Sequence, residues 1–421
     1  MTTTARPRLA WLLTGLVLVL VAAVAVVLLR EEPQRASVDP DRTSARSGDR
    51  AAATGDLVER LERAVSRGVP AAAERLADPE DARARKELRT LARNAASLRI
   101  VDVALRYVAE ADRRLGGPEE RRYGQDAWVS DVQLSWRLGD SDRTVSTVDV
   151  PLVASWSGDD AVFETVRLGG EARVPLWLLG GLERRDVADV TVLAPRSRLG
   201  LLARQAVRAA RTVRRTVPGW RGPLVVEAAP APSDFRAASG LGPEAVEQIA
   251  AVTATTDGTT GADVPVHVFV NPAVYTPLGP RGQQIVLSHE AAHVALGAVR
   301  TKAPLWLSEG VADYVALVDS PLPVSVLAAQ ILRRVRDEGV PRTLPGPAEF
   351  EAGDDALGAW YEAAWLATRL VAEEHGEQRL LDLYRRADRT GSMDTAFREV
   401  LGTSQRAFER SWQRYLRGLA G

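Results

Sequence analysis

An unbroken apolar run, Leu9 to Leu29, stands near the start of the chain with neither a charge nor a proline in it. It has the roughly 20 residues that a helix needs to cross a bilayer, so the pattern predicts a single transmembrane helix over 9–29. Arg6 and Arg8 precede the run, whereas Arg30 is followed at once by Glu31 and Glu32. The positive-inside bias then makes 1–8 a cytoplasmic tail and puts the remainder outside the cell membrane, in a single-pass, extracytoplasmic arrangement. Ala23 and Ala25 would suit a cleaved signal peptide, but the run exceeds the usual hydrophobic region of about 7 to 15 residues. Residues 30–55 are polar, with Pro33 and Pro40 and few large apolar side chains, and predict a flexible linker.

Beyond residue 56 the spacing of apolar residues sorts the chain into two units. Leu57–Arg67 and Ala82–Leu98 carry them at helical spacing among Arg and Glu. Trp128, Val132, Leu134, Trp136 and Leu138 then alternate with polar neighbours. Thr147–Trp156 and Val162–Leu168 do the same, separated by the turn-forming stretches GDSD and SGDD. Two helices followed by antiparallel strands predict an α+β unit over 56–180. In 186–421, VADVTVLAP reads as a strand, Arg198–Val217 as an amphipathic helix, and PLVVEAAP and VPVHVFVNP as strands, while nearly everything beyond 281 is helical. The prolines around VPVHVFVNP mark it as an edge strand, where proline is tolerated. The fold class expected is α+β throughout.

Composition narrows the chemistry. A chain of 421 residues suits two or three units, and 46% hydrophobic with 26% charged residues is globular. The 54 basic and 55 acidic side chains nearly cancel, so no overall field attracts nucleic acid. The absence of cysteine removes disulfides, thiol nucleophiles, zinc fingers and iron–sulfur clusters. A bound metal must therefore rest on histidine and carboxylate.

Only four histidines occur: His267, His289, His293 and His375. In QQIVLSHEAAHVAL, His289 and His293 stand four apart, so on a helix both imidazoles leave one face and can share an ion. Glu290 lies between them, placed to take a proton from a metal-held water. Zinc usually takes a third protein ligand in such sites. Downstream comes PLWLSEGVADYVAL, where Glu309, separated from His293 by fifteen residues, can fill that place and Asp313, four residues on, can accept the outer N–H of a ligating histidine. Taken singly, Glu309 is equally a carboxylate favouring a helix N-terminus and Asp313 a solvated one. The remaining histidines fall outside the metal site: His267 as a surface or hydrogen-bonded histidine, His375 as a charge or cap at a helix C-terminus.

LSHEAAHVAL followed by WLSEGVADY resembles the gluzincins, most nearly the peptidase MA-like families with a short HExxH-x15-E spacing. The resemblance implies a thermolysin-like zincin domain over 186–421, with a mixed sheet and a helical C-terminal half. It also implies a Zn2+ cofactor held by His289, His293 and Glu309, Glu290 as general base, and Asp313 orienting a ligating histidine. VPVHVFVNP resembles the strand that runs beside the cleft in that group. Tyr361, on a helix downstream of Glu309, matches the Tyr or His that gluzincins commonly aim at the developing oxyanion. The 56–180 unit is similar in element order to the nuclear-transport-factor-2-like or cystatin-like cone. No G-x-M-E-N exopeptidase motif is present, and the spacing is shorter than in thermolysin, so substrate contacts do not transfer. The function expected is thus a membrane-anchored extracytoplasmic zinc metallopeptidase acting on peptides or proteins. The alternative is a tethered binding or scaffold protein with a structural or inactive zinc site, which would have no use for Glu290.

Overall fold

The computed structural model of the protein describes residues 44–166, 173–350 and 356–421. The apolar run at 9–29 lies outside them, and among the described residues no helix is long and apolar enough to cross a membrane. The expected fold class is corrected accordingly. What is observed is α+β on two sheets with no membrane-spanning helix among the described residues, and the single-pass cell-membrane placement is not carried forward.

The N-terminal part is a four-stranded antiparallel meander in the order β1-β2-β3-β4 (Ile100–Glu110, Trp128–Leu138, Ser146–Ser157, Asp160–Thr165) with helices α1 (Ser44–Ser66) and α2 (Ala82–Leu98) packed on it. Asp81 starts α2 by accepting from the N–H groups of Arg83 and Ala84, at 2.8 and 3.0 Å, which satisfies two of the donors a helix start leaves open. The expected linker ends earlier than its composition suggests. Residues 44–55 belong to α1, where Thr54 is buried and accepts from Trp128 Nε1 at 2.9 Å. That polar stretch cannot fold alone, but it docks on a sheet built elsewhere in the chain.

The second sheet is mixed, in the order β5-β6-β7-β9-β8 (Glu183–Val187, Val190–Ala194, Leu224–Ala228, Val266–Val270, Ala251–Thr255). Strands β6, β7 and β9 run parallel, while β5 and β8 pair antiparallel to their neighbours. This corrects one expectation. VPVHVFVNP supplies β9, an interior strand, and the edge beside it is β8. Its prolines, Pro265 and Pro272, fall just outside the ladder and leave its pairing intact.

Both faces of this sheet are covered. Val192, Val226 and Val268 join the core formed with α3 (Arg196–Thr216), α4 (Gly279–Leu296), α5 (Leu305–Leu317) and α7 (Leu357–His375). Leu193, Val225 and Phe269 join the core of the N-terminal part, together with Leu176, Trp177 and Leu182 from the 173–182 connection. Helix α6 (Ala329–Glu338) packs on α7. Continuous hydrophobic strands of this kind are what burial on both faces demands.

Helices α5 and α7 cross at Gly310. A Cβ there would stand 2.6 Å from the Ala364 carbonyl oxygen and 2.7 Å from Thr368 Cγ2, and Thr368 Oγ1 donates to the Gly310 carbonyl at 2.8 Å. Helix propensity alone favours alanine over glycine by about 1 kcal/mol, yet the contact is with backbone that cannot step aside. Gly310→Ala is therefore expected to destabilise the protein by about 1–3 kcal/mol in urea unfolding. A gain in stability would refute the packing argument.

Candidate metal centre

Helix α4 begins with Gly279-Pro280, the proline adding no open N–H to the first turn. It ends at Gly297, whose φ of 65° terminates the helix in the left-handed region. Most of its length is buried, including His289, Glu290 and His293. A short turn then leads into α5, which crosses α4 and presents Glu309 and Asp313 to it.

His289 Nε2 and His293 Nε2 stand 2.9 Å apart, and Glu309 Oε2 lies 3.2 and 3.3 Å from them. These three residues are the only metal-competent group found among the described residues. His289 Nδ1 meets Asp313 Oδ1 at 2.8 Å, which fixes the ring and leaves Nε2 facing the centre. His293 Nδ1 is buried with no partner among the described residues. Burial would push the Glu309 carboxyl up, but the His293 and His289 rings outweigh it and hold it down to about 2. Burial likewise opposes a charged His289, and Asp313 and Glu309 keep the imidazolium well above its usual range. Two imidazole nitrogens and one carboxylate oxygen thus converge in a dry interior. Two histidines and a carboxylate are the donor set of many catalytic zinc sites, with a fourth position left open.

Glu290, also buried, does not join the three. Its Oε2 accepts from Thr253 Oγ1 at 2.7 Å, and the same hydroxyl lies 3.0 Å from the Glu290 carbonyl. Thr253 sits on edge strand β8 and faces α4. In the sequence it is one small polar residue in AVTATT, and nothing there marks it. If Glu290 is the base that the resemblance implies and the hydroxyl holds it in place, Thr253→Val should lower turnover by about tenfold with metal content unchanged, and Thr253→Ser should restore it. Equal turnover in the valine variant would make Thr253 a packing residue only.

Tyr361 lies on α7, buried, with its ring edge-on to Phe350 at 5.1 Å. Burial first, then the charges of Glu309, Asp313 and Glu290, push its phenol well above the usual value, so it remains a hydrogen-bond donor at neutral pH. Its helix packs on α5, which carries Glu309 and Asp313. If Tyr361 takes the role that the resemblance implies, Tyr361→Phe should cost at least about tenfold in turnover without loss of metal. Unchanged turnover would leave it as a core ring.

The other two histidines stand apart. His375 is the last residue of α7, exposed. His267 is buried on β9 and not on the surface: Nδ1 meets Glu227 Oε1 at 2.6 Å and Nε2 meets Asp142 Oδ1 at 2.9 Å. Burial opposes its charge, but the two carboxylates prevail and push the imidazolium up to about 10. Asp142 comes from the GDSD turn of the N-terminal part and Glu227 from β7, so the three make a buried ionic bridge between the two parts of the chain. No family model and no curated protein matches this chain.

Proposed function

We propose that the protein is a zinc-dependent metallopeptidase of the gluzincin type, hydrolysing peptide bonds in a peptide or protein substrate. One observation carries the reading: His289 Nε2, His293 Nε2 and Glu309 Oε2 converge in a buried site with the Glu290 carboxylate on the same helix. Zinc fits this set better than calcium or magnesium, which prefer all-oxygen ligands in greater number. When bound there, it supplies Lewis acidity and an acidified water.

The chain's own residues perform the rest. His289, His293 and Glu309 hold the ion, and Asp313 fixes the His289 ring so that Nε2 is the ligating atom. Glu290 accepts a proton from the attacking water at a carboxylate oxygen and delivers it to the leaving amine. The Tyr361 hydroxyl donates to the substrate oxygen as negative charge develops there. The buried surroundings strengthen each of these interactions by excluding bulk water.

The test is digestion of an unbiased peptide library by the zinc-loaded protein, beside the His289→Ala/His293→Ala double variant. Cleavage confined to the wild type supports the proposal and reports specificity at the same time. Stoichiometric zinc with no cleavage would favour the binding or scaffold reading.

A further inference from the structure

The outward face of α3 carries an arginine row that the metal site does not use. Arg204, Arg208, Arg211 and Arg215 follow one another at three- and four-residue spacing, all exposed, and Arg185 of β5 joins them at one end. At the other end the chain supplies its own carboxylates. Arg215 pairs with Asp319, and Arg214 pairs with Asp189 while its guanidinium stacks on Trp220. Arg185, Arg204, Arg208 and Arg211 have no ion-pair partner among the described residues. Like charges this close repel one another, so the row is costly unless an anion sits on it.

The row borders two adjoining grooves of about 530 and 630 Å³, with Arg208 and Arg211 lining both. Aliphatic side chains, Val187, Ala203 and Val207, line the first, and Gln284 of α4 lines the second. We infer that this surface binds an extended acidic polypeptide segment, with Asp or Glu at alternate positions.

Three features select that partner. Spacing is the first: three or four residues along a helix advance about 4.5–6 Å, and alternate side chains of an extended chain repeat every roughly 6.5 Å. Long guanidinium stems absorb the difference. The unpaired arginines from Arg204 to Arg211 then span about 10 Å, enough for two such carboxylates, and Arg185 lies beyond them to meet a third. Shape is the second, since the aliphatic lining of the first groove takes a strand's intervening apolar side chains, whereas a lipid surface is flat. Chemistry is the third: no aromatic ring lines either groove to stack a base, as single-stranded nucleic acid requires, and the Arg215–Asp319 pair shows a carboxylate already seated on the row.

Fluorescence anisotropy with a labelled Glu-Val-Glu-Val-Glu-Val peptide and the full chain tests this. The expected result is saturable binding that weakens with salt and falls at least tenfold in R204E/R208E/R211E, with an unchanged melting temperature. The Gln-Val counterpart should not bind. R208Q/R211Q, a milder change, should weaken binding in the same direction should the triple variant fold poorly. No binding of the acidic peptide, equal binding of the Gln peptide, or full affinity in the variants would overturn the inference. So would tighter arginine-dependent binding to phosphatidylglycerol vesicles or to oligo-deoxythymidine.

Discussion

Glu290→Gln is expected to retain one equivalent of zinc and to lose hydrolysis by about 10²–10⁴-fold, the usual contribution of a general base. The separation of the two outcomes follows from geometry. The Glu290 carboxylate is turned to Thr253 and is absent from the group that converges on the metal position, so its removal leaves every ligand in place. The amide of glutamine still accepts from the Thr253 hydroxyl and keeps the side-chain volume, but it cannot carry a proton. His289→Ala/His293→Ala should do the reverse at the first step, losing the metal itself. Metal analysis and turnover measured on the same samples decide the matter. A Glu290→Gln variant that cleaves at the wild-type rate would remove Glu290 from the mechanism.

His267→Leu is expected to destabilise the protein by about 3–5 kcal/mol at pH 7, because it leaves Asp142 and Glu227 as buried carboxylates with no cation between them. The pH dependence has a definite sign. The folded imidazolium is held up to about 10, against an ordinary value of 6.5 in the unfolded chain. Its contribution is therefore fully present below about pH 6.5 and is lost as the pH rises towards 10, since the unfolded chain releases the proton first. Urea unfolding of wild type and variant across that window should show the gap narrowing with rising pH. A gap below about 1 kcal/mol at pH 7 would mean that the cluster is not charged as described. Asp142→Asn/Glu227→Gln/His267→Leu, which removes all three charges, should recover much of the loss.

The convergence of His289, His293, Glu309 and Asp313 was legible because helical spacing is a rigid rule. A separation of four positions from His289 to His293, and of four from Glu309 to Asp313, dictates one face each, and burial of α4 and α5 brings the faces together. Strand order obeys no such local rule. VADVTVLAP reads as one strand, but Ala188 turns the chain at φ 53° and splits it into the β5–β6 hairpin, a conformation that sequence reserves for Gly, Asn or Asp. Strand β1 carries a weak signal because its outer positions include Ala104 and Val108, so the alternation of Val101, Val103, Leu105 and Tyr107 has no consistently polar counterpart. Which strand forms the edge depends on pairing between distant segments, so β8 and its Thr253 carry no mark in the sequence.

The doubly covered sheet makes the N-terminal part a wall of the half that carries the histidine–carboxylate group and not an attachment to it. A chain begun at β5 would present Leu193, Val225, Val252 and Phe269 to water and leave His267 facing Glu227 without Asp142. On β8 the dependence narrows to two neighbouring residues. Val252 seats in the N-terminal core, and Thr253, on the opposite face, holds Glu290. The strand acts as a lever with its seat in one half of the molecule and its working end on the Glu290 carboxylate in the other, so loosening the first disturbs the aim of the second.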